Sequence, residues 1–254
     1  MTDKTEDLGT LVVTGASRGI GAATAKLAGA RGYAVAVNFS TGEGEAMKVA
    51  HEIVLSGGRA LPIHADVSSE KQIVELFQTA ARELGAITAL VNNAGITGGF
   101  ARVEDVTVAQ IEKTFAINVT GAILCAREAV RRMSTRRGGK GGAIVNISSL
   151  ATRTGAAGEW VHYAASKGAI DSFTLGLARE VASDGIRVNC VSPGLAETDI
   201  HAANGGPGRL QRLMPTIPMK RAGRPHEIAE GVLWLLSSSA SYVTGSILEI
   251  GGGR

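Results

Sequence analysis

The chain has 254 residues, 44% of them hydrophobic and 19% charged, with a net charge of +3. That balance supports a sizeable buried core and excludes a disordered chain. The charge is too small to mark a nucleic-acid binder. Two cysteines are too few for a disulfide framework, and no apolar run reaches membrane-spanning length. The expectation is a soluble cytoplasmic protein with neither nucleic-acid nor membrane partners, and with Cys125 and Cys190 as buried thiols.

Seven short, nearly continuous apolar runs read as strands at 10–14, 34–39, 60–65, 89–92, 143–148, 187–192 and 246–250. Helical patterns alternate with them at 19–30, 44–56, 70–84, 109–133, 163–182 and 226–236. Strand–helix alternation without a break in composition predicts one α/β domain over 1–254. Its fold class is a doubly wound, Rossmann-type seven-stranded parallel sheet with helices on both faces. The least regular stretch, 197–225, is long for a connection in such a fold and reads as a substrate lid or a surface excursion. The basic stretch Arg131, Arg132, Arg136, Arg137 and Lys140 reads as a helix end followed by a solvated loop.

Between the first strand and first helix lies T-G-A-S-R-G-I-G, residues 14–21. Gly15 supplies a positive-φ turn, Gly19 permits close backbone approach, and Gly21 lets the helix lie against the sheet. The helix N-terminus then offers unpaired N–H groups to a pyrophosphate, so this turn predicts dinucleotide binding. Tyr163 and Lys167 stand four residues apart in Y-A-A-S-K, one helical turn, on the same face. An ammonium beside a phenol favours the phenolate and makes the Tyr a usable acid or base near neutral pH. His51, His64, His162, His201 and His226 show no metal-ligand spacing, and no nucleophile elbow is present, so the reading includes no metal.

Six spaced motifs, in order, resemble the short-chain dehydrogenase/reductase family in its compact single-domain form. They are residues 14–21; Asp66; N-N-A-G at 92–95; Asn118 with N-I-S-S at 146–149; Tyr163 with Lys167; and P-G at Pro193 and Gly194 with Y-V-T-G at 242–245. The nearest branches are the ketoacyl-carrier-protein-reductase-like and glucose-dehydrogenase-like ones. The resemblance implies an oxidoreductase acting on CH–OH and C=O groups of a small-molecule substrate, assembled as a homotetramer. It implies Asn118, Ser149, Tyr163 and Lys167 as catalytic residues, with Asn118 holding a water that links Lys167 to solvent. Ser148 and Ser149 point to opposite faces of a strand, and the resemblance favours Ser149.

For the cofactor, the resemblance places Gly15, Ser17, Arg18, Gly19, Ile20, Gly21, Ser40, Asp66, Val67, Asn92, Ala94, Gly95, Tyr163, Lys167, Pro193, Gly194 and Thr198 along the dinucleotide. Asp66 reads as an adenine contact or a turn residue. Asn92 and Gly95 read as contacts or as structural, and Thr198 as a nicotinamide contact or a helix cap. The second strand ends in Phe39 and Ser40, where an NAD enzyme carries an acid, and Arg18 lies inside the glycine turn. Both observations favour NADP(H) over NAD(H). Arg209 and Arg212 can receive an anionic tail such as carrier phosphopantetheine. The alternatives are a sugar dehydrogenase on the same site and a non-catalytic NADP(H)-sensing protein.

Overall fold

Seven parallel strands in the order β3-β2-β1-β4-β5-β6-β7 form one sheet in the computed structural model, which describes residues 8–198 and 208–254. Part of the 197–225 stretch, and His201 with it, lies outside the described residues. The strands are β1 (Thr10–Val13), β2 (Ala34–Phe39), β3 (Arg59–His64), β4 (Ile87–Asn92), β5 (Gly142–Ile147), β6 (Ile186–Pro193) and β7 (Ile247–Ile250). Helices α1 (Gly19–Ala30), α2 (Glu43–Leu55) and α3 (Glu70–Leu84) make the first crossovers. Then come α4 (Val108–Phe115), α5 (Ala122–Met133), the short α6 (Ala151–Thr154) and α7 (Val161–Val181). Helices Arg209–Leu213 and Pro225–Leu236 follow.

The strand residues are apolar on both sides, yet their two-residue alternation still sorts them into two cores. Leu11, Val13, Val35, Val37, Val91 and Val145 pack with α1, α2 and helix Pro225–Leu236. Val12, Ala36, Leu90, Ile144 and Val188 pack on the other face with Ile73 and Phe77 of α3, Cys125 of α5 and Val181 of α7. Each fully buried aliphatic side chain contributes about 1.5–3 kcal/mol. Both cysteines are buried and unpaired, and burial pushes each thiol up to about 12.

Two expectations change. The helical pattern 109–133 is not one helix: between α4 and α5 the turn Ala116–Gly121 is π-helical, and it contains Asn118. The basic stretch is not simply solvated. Arg131 and Arg132 pair with buried Glu128 at 2.7 Å each, and Arg136 pairs with buried Asp184 at 2.6 Å. A buried carboxylate needs a charged partner, and these arginines supply it. Among the described residues no helix is long and apolar enough to cross a membrane.

The chain leaves β1 for β2 and β3 on one side, then returns to β4 on the other. The crossovers diverge there and open a crevice beyond the carboxyl ends of the strands, where open α/β sheets bind ligands.

Candidate active site

A cleft of about 930 Å³ occupies that crevice. Its first half is built on the glycine turn. Gly15 and Gly19 have φ of 61° and 57°, the left-handed region where only glycine is unstrained. A Cβ on Gly15 would come 2.9 Å from Ala94 Cα, and one on Gly21 would come 2.3 Å from the Gly15 carbonyl oxygen. Gly21 therefore seats α1 against the turn and is not itself a cleft residue. α1 begins at Arg18 with no side-chain cap, so its first-turn N–H groups stand ready for an anion.

Ser17, Arg18, Gly19, Ile20, Ser40, Asp66, Val67, Ala94, Gly95, Pro193, Gly194 and Thr198 all line this cleft. Arg18 is exposed and forms no ion pair among the described residues. No carboxylate lines the cleft at the end of β2, where Asn38, Phe39, Ser40 and Thr41 form the wall. Asp66 accepts from the Ser68 N–H at 2.9 Å and the Ser68 hydroxyl at 2.8 Å, a turn that holds its carboxylate at the cleft edge. Thr198 meets the glycine turn, since a Cβ on Gly19 would lie 3.3 Å from its Cγ2, and the segment it would cap lies outside the described residues.

The second half is built on α7 and the end of β5. Tyr163 and Lys167 are both buried, one turn apart on the cleft face, with the ammonium 5.8 Å from the centroid of the phenol ring. Lys167 Nζ donates to the Ile147 carbonyl at 2.7 Å. Ser149 lines the cleft near enough for its hydroxyl to pull the phenol down, while the Ser148 hydroxyl turns back to donate to the Lys167 carbonyl at 3.3 Å. Both serines, just past β5, line the cleft, but their hydroxyls point different ways, with Ser149 toward the phenol.

The electrostatics differ from the simple pairing read from sequence. Burial pushes Tyr163 above its ordinary value, and the groups pulling it down are the Ser149 hydroxyl and the Arg209 guanidinium. Burial also lowers Lys167, to about 8, against the pull of Cys190 and Asp171. The ammonium is directed at a backbone carbonyl, so its influence on the phenol is not through a direct bond.

Asn118 explains the π turn. Its Oδ1 accepts from Ile96 N at 2.9 Å, and its Nδ2 donates to the Ile96 carbonyl and to Ser166 Oγ, both at 2.9 Å. The extra backbone residue of a π turn aims this amide into the protein, a device common at functional sites. Gly95 makes room for it, since a Cβ there would lie 3.3 Å from both Asn118 Oδ1 and Lys167 Nζ.

Asn92 takes the structural one of its two readings. Asn92 does not line the cleft; its amide donates to Asn146 Oδ1 at 2.9 Å and to the Ala122 carbonyl at 3.0 Å, bracing β4 against β5 and α5. The next residue faces the opposite way, and Asn93 is the one at the cleft, donating at 2.9 Å to both the Thr14 and Gly15 carbonyls. The doubled Asn at the strand end is the signal that sequence reading left unused. Asn38 was also missed: fully buried, it accepts from Gly15 N at 3.2 Å and donates to the Ile63 and Ala65 carbonyls at 3.3 and 3.0 Å. His162 is neither exposed nor at the pocket mouth; it is buried against Gly98. No cluster of metal-ligating side chains occurs among the described residues.

A turn for phosphates, a switch-point cleft, and a Ser–Tyr–Lys group at its inner end together define a nucleotide-dependent oxidoreductase of the short-chain type. The chain belongs to the short-chain dehydrogenase/reductase family: residues 15–254 match the family model described as enoyl-(acyl carrier protein) reductase. It is 51% identical over 243 residues to the uncharacterized oxidoreductase YgfF of Escherichia coli (strain K12), covering 96% of this chain and 98% of that protein. The cis-4-hydroxycyclohexanecarboxylate dehydrogenase of Sinomonas cyclohexanicum is 40% identical over 243 residues, covering 95% of this chain and 94% of that one. Among solved structures, a blue fluorescent protein from a metagenomic library in complex with NADPH superposes with a TM-score of 0.89 at 32% identity, covering 98% of this chain and 99% of that one.

Proposed function

We propose that the protein is an NADP(H)-dependent carbonyl reductase and secondary-alcohol dehydrogenase in which Tyr163 is the general acid and base. The carrying observation is the joint placement of Ser149, Tyr163 and Lys167 at the inner end of the cleft whose outer end holds the glycine turn. The cradle suits a dinucleotide, because Gly15 and Gly19 leave open the space where side chains would meet Ala94 and Thr198. The missing acid after β2 and the exposed Arg18 suit a 2′-phosphate. The cofactor supplies or takes up the hydride.

The chain's own residues handle the proton. Ser149 and Tyr163 form a pair of hydroxyls that can both hydrogen-bond one substrate oxygen, stabilising negative charge as it develops there. Tyr163, kept neutral by burial, gives its proton to that oxygen in reduction and accepts one in oxidation. Lys167, lowered to about 8, favours the tyrosinate and sits beside Asn118 and Gly95 along the route by which the proton is replaced. Residues 197–225 serve as the substrate lid. The 40% identical relative acts on a cyclic secondary alcohol by its name, so alicyclic hydroxy acids and their ketones belong first in a substrate panel.

The reading is tested by following NADPH absorbance with ketones, secondary alcohols and sugars. Tyr163→Phe should lower turnover by about 10²–10⁴-fold while NADPH binding, read by fluorescence titration, persists. Undiminished turnover in this variant would end the assignment of Tyr163, and binding without turnover in the wild type would favour a sensor.

A further inference from the structure

The wall of the cleft facing the start of α7 is carried by Glu159, Trp160 and Arg209, none of which belongs to the Ser149–Tyr163–Lys167 group. Arg209 opens helix Arg209–Leu213 and is only 6% exposed. Its guanidinium carbon lies 4.2 Å from the centroid of the Trp160 ring. Its Nε donates to Glu159 Oε1 at 3.3 Å, and its Nη2 donates to Glu159 Oε2. Trp160 in turn meets Tyr163 edge to face, with ring centroids 6.3 Å apart at 81°.

Burying a guanidinium is expensive unless a carboxylate and further partners receive it, and an apolar replacement is often no less stable. Stability alone therefore does not account for a buried cation at this place. Its surroundings do: the indole against the Arg gains a cation–π contact, and that same indole packs on the catalytic phenol.

We propose that Arg209 is a positioning residue for Tyr163, clamping Glu159 and Trp160 at the start of α7 and bringing to the phenol a second positive charge beside that of Lys167. This rests on the reading of Tyr163 as proton donor and acceptor. Among the described residues the charged and titratable groups around the phenol are few. Lys167 lies on the same helix, with its ammonium 5.8 Å from the ring. Glu159 and Arg209 lie on the wall, with Arg212 3.8 Å from Glu159. His162 turns away toward Gly98, and Asp171 and Cys190 act on Lys167. Arg209 pulls the phenol toward its ionised form while burial pushes it away, so losing Arg209 raises the pH at which Tyr163 ionises.

The experiment replaces all three tyrosines (Tyr33, Tyr163 and Tyr242) with 3-fluorotyrosine in the full chain. The Tyr163 fluorine resonance, assigned with Tyr163→Phe, is then followed against pH with and without NADPH. Arg209→Met should raise the titration midpoint by about one pH unit, a tenfold change in the ionisation constant. Arg209→Gln, which is neutral but still able to reach Glu159, should do the same and serves where the Met variant fails to fold. Arg209→Lys should return the midpoint toward the wild-type value. An unmoved midpoint in a folded neutral variant would overturn the proposal and leave Arg209 as packing. The titration needs no substrate, so a wild-type protein without turnover would count against the proposed function and not against this clamp. With turnover in hand, the rising limb of kcat against pH for alcohol oxidation should move in the same direction.

Discussion

Along the outer half of the cleft the walls are backbone, shaped by atoms that are missing, whereas along the inner half they are side chains gathered from distant parts of the chain. Gly15 and Gly19 matter because a Cβ at either would meet Ala94 or Thr198, and Gly21, just behind the cleft, because one there would meet the Gly15 carbonyl. Ser149, Tyr163, Lys167 and Arg209 matter for what they carry, and Arg209 reaches Glu159 across 50 residues of sequence. A site of the first kind is strained by an added atom, most of all where it would meet backbone. A site of the second kind depends on burial and charge balance, and its members lie in positions that differ from their solution behaviour.

Adding an atom to the outer half is the harshest test of this contrast. In Gly21→Ala the new Cβ would fall 2.3 Å from the Gly15 carbonyl oxygen and 2.5 Å from Asn93 Nδ2. We expect a loss of roughly 1–3 kcal/mol in denaturant unfolding, as for other overpacked sites, with NADPH affinity falling as the turn is displaced. A variant as stable as the wild type would show that the turn adapts and break the comparison. Removing a charge from the same half is milder. Arg18→Ala should cost NADPH binding about 2 kcal/mol, the value of a charge-assisted hydrogen bond, and leave NADH nearly unchanged in isothermal titration. Equal losses would detach Arg18 from the 2′-phosphate.

The smallest effect sharpens the inner half. Lys167 is lowered from 10.5 to about 8 by burial, so between those values the unfolded chain holds more protons than the folded one. Stability at this site therefore rises with pH across that window, and the burial cost stands in full below it. Lys167→Met should raise the unfolding free energy at neutral pH by an amount on the order of 1 kcal/mol, read as a higher thermal midpoint, with the gap narrowing as pH climbs above about 8. A gap independent of pH would place the gain in packing instead of charge.

Most of the sheet was legible, because parallel strands buried on both faces read as unbroken apolar runs and their crossovers read at helical spacing. The glycine turn and the Tyr163–Lys167 pair were legible for a related reason: both are local, fixed by spacing within eight residues or fewer. What stayed hidden was whatever depends on facing or on distance along the chain. The exchange of Asn92 for Asn93 turns on which of two neighbours faces the cleft. The π turn at Ala116–Gly121 shifts the phase of one continuous helical pattern without changing its residue types. Arg209 and Glu159 belong to segments with no regular period to suggest that they meet.

Asn38 carries a practical lesson for anyone who would redesign the coenzyme preference. The usual route adds a carboxylate at the tip of β2, yet the Asn38 amide is already spoken for, holding Gly15 on one side and the Ile63 and Ala65 carbonyls on the other. An acid installed there would still accept from Gly15 N but would lose both donor bonds to the carbonyls at the end of β3 before it met any ribose. The exposed Ser40, two positions on, is where such an exchange leaves the scaffold whole.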